Sequence, residues 1–145
     1  MTPEQVTLVK QSFELVAPIV DVAAELFYDR LFTIDPSLRP MFNGDMKAQG
    51  RKLMQTITVV VHGLDRIETL VPAVQALGRR HGKYGVMDEH YNTVASALIW
   101  TLEQGLGSAF TPDVRDAWVT AYTLLADTMK AAAAEANAPM LAIAA

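Results

Sequence analysis

Cysteine is absent from the 145 residues. That excludes disulfides, thiolate-ligated zinc, iron–sulfur clusters and thiol nucleophiles. Any metal the protein binds must therefore be held by His, carboxylate, Tyr or Met, and only three histidines exist: His62, His81 and His90. Long apolar runs are also missing. Although 51% of the residues are hydrophobic, the run "ITVVV" is cut by His62 and Gly63, far short of the roughly 18 residues of a membrane span. No basic tract is present and the net charge is −4, which argues against nucleic-acid binding by phosphate neutralisation. There is no glycine-rich phosphate loop, no Ser-His-Asp arrangement and no paired-carboxylate site. The opening "MTPEQV" lacks the basic start and apolar centre of a signal peptide. The expectation is a soluble, cytoplasmic protein without a membrane span. Its 145 residues suit one domain, with a core over about residues 2–134 and an Ala-rich tail over 135–145.

What is present is helical. Thr2-Pro3-Glu4-Gln5 reads as a capping box with proline at the first helical position. Val6, Val9, Phe13 and Val16 follow at helical spacing. Pro18 separates this helix from one that runs to about Ile34. Asp35-Pro36 starts a short helix that breaks near Arg39-Pro40. A long helix is predicted from about Met46 to His62, and another from Asp65 to a glycine stop at Gly82. Asp88 reads as the cap of a helix over Glu89–Leu106. Thr111-Pro112-Asp113 begins the last helix, with Val114, Ala117, Trp118, Ala121, Leu125 and Met129 on one side. No segment alternates as a strand. About seven unequal helices with short links define an all-α class. A ligand-free bundle would show the same apolar stripes.

The residues with chemistry are few. In "LGRRHGKYGV", His81 shares a helix face with Leu77 and Val74, where it is either a cap residue or a metal ligand. Gln49 and Leu53 lie four apart on the long helix. Tyr28 interrupts an apolar stripe of Val20, Ala24, Phe27 and Leu31, and a buried hydroxyl needs a partner. His62 and His90 read as helix-end surface residues. Met46 and Met54 read as core filler, Trp100 and Trp118 as packing, and Glu103, Asp113, Asp116 and Glu135 as solvated.

Four segments, "LFYDRLFTIDPSLRPMF", "QGRKLM", "RRHGKYGVMDEHY" and "DAWVTAYTLLADTM", carry a resemblance. The chain resembles the globin family over about residues 2–134, specifically bacterial single-domain globins and the globin part of flavohaemoglobins. The resemblance implies a globin fold around a haem pocket. It makes His81 the proximal iron ligand and Phe42 the phenylalanine that stacks on the haem. Gln49 takes the distal position, with Leu53 one turn further over the iron and Tyr28 as the distal tyrosine. Lys52 corresponds to a propionate contact; Leu77, Tyr84, Val86, Tyr91 and Val94 correspond to proximal or rim contacts. In flavohaemoglobins a tyrosine and a glutamate polarise the proximal histidine. Tyr91 matches the tyrosine, but the glutamate position falls near Ala133, with Glu135 on a different face.

The implied chemistry follows. Ferrous iron takes one neutral imidazole nitrogen and keeps an open axial site. The other imidazole nitrogen needs an acceptor, and the Leu77 carbonyl one turn back is the natural one. With no cysteine the haem is expected to be of the b type, noncovalent, one per chain. Tyr28 and Gln49 would donate hydrogen bonds to a bound gas. The expected ligands are dioxygen, carbon monoxide and nitric oxide. The leading expectation is reversible dioxygen binding. The alternative is nitric oxide dioxygenation with an external reductase, since no flavin domain is expected alongside. A gas sensor would need an output domain, and a haem-free interaction module would have no use for Tyr28, Gln49 and His81 together.

Overall fold

The first helix begins where its cap dictates. Thr2 Oγ1 accepts the Gln5 N–H at 3.1 Å, and the Gln5 side chain accepts the Thr2 N–H at 3.0 Å. This closes the capping box and satisfies two otherwise orphaned donors. A computed structural model describes residues 1–144, with side chains through residue 136. Among the described residues there are six α-helices and no strand. They are α1 (Pro3–Val16), α2 (Val20–Ile34), α3 (Met46–His62), α4 (Val71–Lys83), α5 (Asp88–Leu106) and α6 (Pro112–Ala144). Short 3-10 segments link them, and one of these, Pro36–Met41, is the predicted short helix between α2 and α3. The expected Ala-rich tail falls within α6, and its side chains from 137 onward lie outside the described residues.

Three boundaries differ from the sequence reading. The predicted helix from Asp65 is two elements. Leu64–Thr69 is 3-10, with Arg66 outside helical geometry, and α4 starts only at Val71. Pro72 explains this, because a residue without an N–H is tolerated in a helix's first turn but not inside it. The stop is not Gly82 but Gly85, whose φ of +84° is left-handed. There Val86 N–H donates to the His81 carbonyl at 3.0 Å and Gly85 N–H to the Gly82 carbonyl at 3.2 Å, a Schellman closure. At α5 the N-cap is Met87 rather than Asp88, and the side chain that satisfies it belongs to His90.

Two apolar clusters organise the interior. In the larger, Val9, Phe13 and Val16 of α1 meet Ala117, Trp118 and Ala121 of α6. The Trp118 indole donates to Ser12 Oγ at 2.8 Å, so neither buried polar group is stranded. The smaller joins Phe27, Tyr28 and Leu31 of α2 with Leu38 and Ala97. Helix α4 lies so close on α6 that a Cβ at Gly78 would stand 2.5 Å from Met129 Cα. This approach fixes the height of His81, three residues further along α4.

Candidate functional site

A cavity of about 210 Å³ lies among α3, α4, α5 and α6. Its lining is almost wholly apolar. Leu53 comes from α3, Leu77 and His81 from α4, Val86 from the turn, and Tyr91 and Val94 from α5. Six of the residues singled out from sequence thus meet on one cavity. The Schellman turn accounts for one of these neighbours, since it brings Val86 back beside His81.

His81 is half-buried, and its Nδ1 lies 2.8 Å from the Leu77 carbonyl oxygen. A carbonyl only accepts, so Nδ1 carries the proton and donates. The neutral ring then has its lone pair on Nε2. That is the tautomer a metal ligand requires. No group of three or more His, Cys, Asp or Glu side chains among the described residues could hold a metal ion. A bare cation would therefore find a single nitrogen in an apolar cavity. A metal that brings an equatorial ligand set of its own, inside a flat apolar macrocycle, needs only that nitrogen and that lining. The residues present fit a haem.

Tyr28, Gln49 and Phe42 form a second assembly behind the cavity wall. The Gln49 amide donates to the Tyr28 hydroxyl oxygen at 3.3 Å. The Tyr28 ring meets Phe42 edge-on at 5.4 Å and Phe27 edge-on at 5.0 Å between centroids. Burial pushes the Tyr28 phenol up from its ordinary value, and the Gln49 hydrogen bond opposes this. The hydroxyl therefore stays protonated, and its oxygen already accepts, so its proton is free to donate. None of these three side chains lines the His81 cavity. Phe27 and Leu53 do, and both also pack in the aromatic cluster. Tyr28 itself borders a separate, polar-edged cleft of about 580 Å³ between α2 and α3, with Arg39, Lys47 and Arg51 at its rim. Lys52 is exposed on α3, and Tyr84 is exposed beyond the end of α4, so neither lines the cavity.

On α6, the lining residues Trp118, Ala121, Leu125 and Met129 come from the apolar side read in the sequence, whereas Tyr122 and Ala126 were not singled out. Tyr122, Ala126 and Met129 line the cavity, at the helical spacing of one face. The Tyr122 hydroxyl donates to the Tyr91 carbonyl at 2.7 Å. Burial pushes the Tyr122 phenol far up, with Tyr91 adding to the effect. Tyr91 is raised by burial and by the nearby Asp88 carboxylate. Ala133 faces Gly82: a Cβ built there would lie 3.2 Å from the Ala133 methyl. Glu135 is exposed. His90, read as a surface residue, also lines the cavity.

Comparison with known proteins gives the family and the fold. The Globin family model matches residues 25–129. The flavohemoprotein of Vibrio cholerae is 30% identical over 129 residues, which is 87% of this chain and 33% of that protein. The Bacillus subtilis flavohemoprotein is 34% identical over 104 residues, 70% of this chain and 26% of that protein. The chain thus spans about a third or less of the length of these curated relatives. Among solved structures, an engineered carbene transferase from Rhodothermus marinus superposes with a TM-score of 0.87 at 23% identity, covering 97% of this chain and 99% of that one. A bacterial globin from Campylobacter jejuni gives 0.81 at 22% identity, over 92% and 97%. At such identities these two likenesses speak for the fold.

Proposed function

The chain belongs to the globin family, and from that premise we propose that it holds one noncovalent haem b and binds dioxygen reversibly, as a single cytoplasmic domain. The observation that carries this reading is the His81 tautomer. A half-buried imidazole in an apolar cavity keeps an uncommitted Nε2 lone pair, while the Leu77 carbonyl holds its other nitrogen at 2.8 Å.

When bound, haem would supply a ferrous iron able to take up a diatomic gas. The chain's own residues do the rest. His81 Nε2 would hold the iron, and Leu77 fixes the ring's rotation and tautomer. The apolar lining from Leu53, Val86 and Val94 excludes water, which protects the ferrous state. Gln49 orients the Tyr28 oxygen, and the Tyr28 proton would serve as the donor to a gas of partial negative charge only if the bound haem reaches past Phe27 and Leu53, which stand between Tyr28 and the His81 cavity here. A hydrogen bond to such a charge contributes about 1.5–3 kcal/mol. Its main effect is slower gas release.

The test is the set of visible spectra of the reconstituted protein in ferric, ferrous and oxygenated states. A Soret band, a five-coordinate ferrous spectrum and a dioxygen complex that dissociates on deoxygenation are expected. His81→Ala is expected to lose the five-coordinate spectrum, and added imidazole to restore it. No Soret band with wild-type protein would refute the reading.

A second reading, nitric oxide dioxygenation, is favoured by the flavohemoprotein relatives. Nitric oxide, dioxygen and one electron give nitrate, and an external reductase would supply the electron. Stopped-flow mixing of the oxygenated protein with nitric oxide, with and without a reductase, separates single-turnover from catalytic behaviour.

A further inference from the structure

Two histidines line the cavity, and their backbones set them in opposite tautomers. His81 donates from Nδ1 to Leu77 and shows a lone pair at Nε2. His90 Nδ1 accepts the Met87 N–H at 2.9 Å, as the side-chain cap of α5. An accepting nitrogen carries no proton, so the neutral His90 ring has its N–H at Nε2. One imidazole thus offers an electron pair and the other a proton.

We infer that His90 is a carboxylate-holding residue, whose Nε2–H donates to an acidic side group of the porphyrin. The inference rests on the haem reading above. Haem carries two propionates, and a carboxylate at the edge of an apolar slot needs a donor. The cavity lining contains no lysine or arginine. Its other donors are mostly committed. The Trp118 indole donates to Ser12 at 2.8 Å, Tyr122 to the Tyr91 carbonyl at 2.7 Å, and Thr56 to the Lys52 carbonyl at 2.9 Å. His90 Nε2–H and the Tyr91 hydroxyl remain. Of these, His90 stands in the first turn of a 19-residue helix, where the helix dipole favours an anion. The cap has a second consequence: while Nδ1 accepts from Met87, His90 cannot turn that lone pair toward iron. Lys52, which the family resemblance points to for this role, is exposed and outside the lining.

His90→Glu separates the cap from the donor. Glutamate at this helix position accepts the N-cap N–H as well as any residue, but presents a negative charge in place of an N–H. Loss of haem to excess apomyoglobin is measured with native haem and with its dimethyl ester, which lacks carboxylates. His90→Glu is expected to speed loss of native haem by about tenfold or more, which corresponds to ~1.4 kcal/mol. With the ester, variant and wild type should agree within about twofold. His90→Gln, which keeps both an acceptor and an amide donor, should fall near wild type with native haem. Equal acceleration for both haems, or none for native haem, overturns the inference and leaves the haem reading intact. Nitrogen NMR of the haem-free wild type is a check that needs no variant. The expected signal is an Nε2–H tautomer for His90, and an Nδ1–H tautomer would overturn the assignment. Wild-type protein with no Soret band would overturn both readings together.

Discussion

Gly78→Ala tests whether the α4–α6 approach sets the site. In an exposed helix, alanine for glycine gains about 1 kcal/mol of intrinsic propensity. Here the added methyl would lie 2.5 Å from Met129 Cα and closer still to the Met129 carbonyl oxygen. Both are backbone atoms of α6, so no flexible side chain can swing away. Separating the helices to ordinary contact requires a shift of about an ångström, and overpacking of this kind costs about 1–3 kcal/mol or more. The propensity gain offsets part of it, and because the clash is with backbone atoms the cost falls at the upper end of that range, so a net loss of about 1–2 kcal/mol is expected. Gly82→Ala is the internal control. It gains the same propensity, but its methyl meets only the Ala133 side chain, at 3.2 Å. Its net effect should lie within about 1 kcal/mol of zero. Urea denaturation of the haem-free proteins measures both through the midpoint at constant slope. A Gly78→Ala protein as stable as Gly82→Ala would refute the claim that backbone contact holds α4 in place.

Tyr28→Phe removes the proposed donor proton and should speed dioxygen dissociation by about tenfold, from the loss of ~1.4 kcal/mol or more; unchanged release in flash photolysis or stopped flow rejects the role. Ser12→Ala strands the buried Trp118 indole N–H, which loses its 2.8 Å partner, and should lower unfolding stability by about 1–3 kcal/mol. The raised phenols of Tyr28, Tyr91 and Tyr122 keep their protons in the folded state at pH values where the unfolded chain releases them. Their stabilising contribution is therefore full below the unfolded phenol pKa, about 10, and declines as pH rises through and above it. Urea midpoints should fall above that pH, and Tyr122→Phe should make the fall shallower.

How much of this was readable from residues alone depends on whether a feature is local. The His81–Leu77 hydrogen bond was legible because a carbonyl four residues back is reached by helix geometry alone. The opening of α1 was legible for the same reason, since all its capping partners lie within four residues. The end of α4 was not. "HGKYG" offers two glycines, and helical propensity allows either to stop the helix. Gly82 stays helical because it faces Ala133 across a tertiary contact, which leaves the left-handed turn to Gly85. The apolar side of α6 was legible in part, through Trp118, Ala121, Leu125 and Met129, but its place on the cavity was not. Tyr122, Ala126 and Met129 form one helix face, but nothing local tells which helix they oppose. His90 was misread because two of its nitrogens do different jobs: the cap was compatible with a surface position, while the cavity contact depends on how α5 packs.

The close α4–α6 approach also bears on what the proximal side can do. The partner of His81 Nδ1 is a neutral carbonyl. A carboxylate in its place would pull the imidazole proton, give the ring imidazolate character and push electron density to the iron, which favours cleavage of bound oxygen. The family resemblance points to Ala133 as the place for that acid. There the structure puts a methyl within 3.2 Å of where a Gly82 side chain would begin, and the nearby Glu135 is exposed. Packing and electronics are thus one fact here. Helices this close require small residues at 82 and 133, and a small residue at 133 is not an acid. Tyr91 does not substitute, because burial and the Asp88 charge both hold its phenol protonated. On the haem reading proposed above, His81 would have only the neutral Leu77 carbonyl behind it, and its electronic push would suit holding a gas and letting it go more than breaking it.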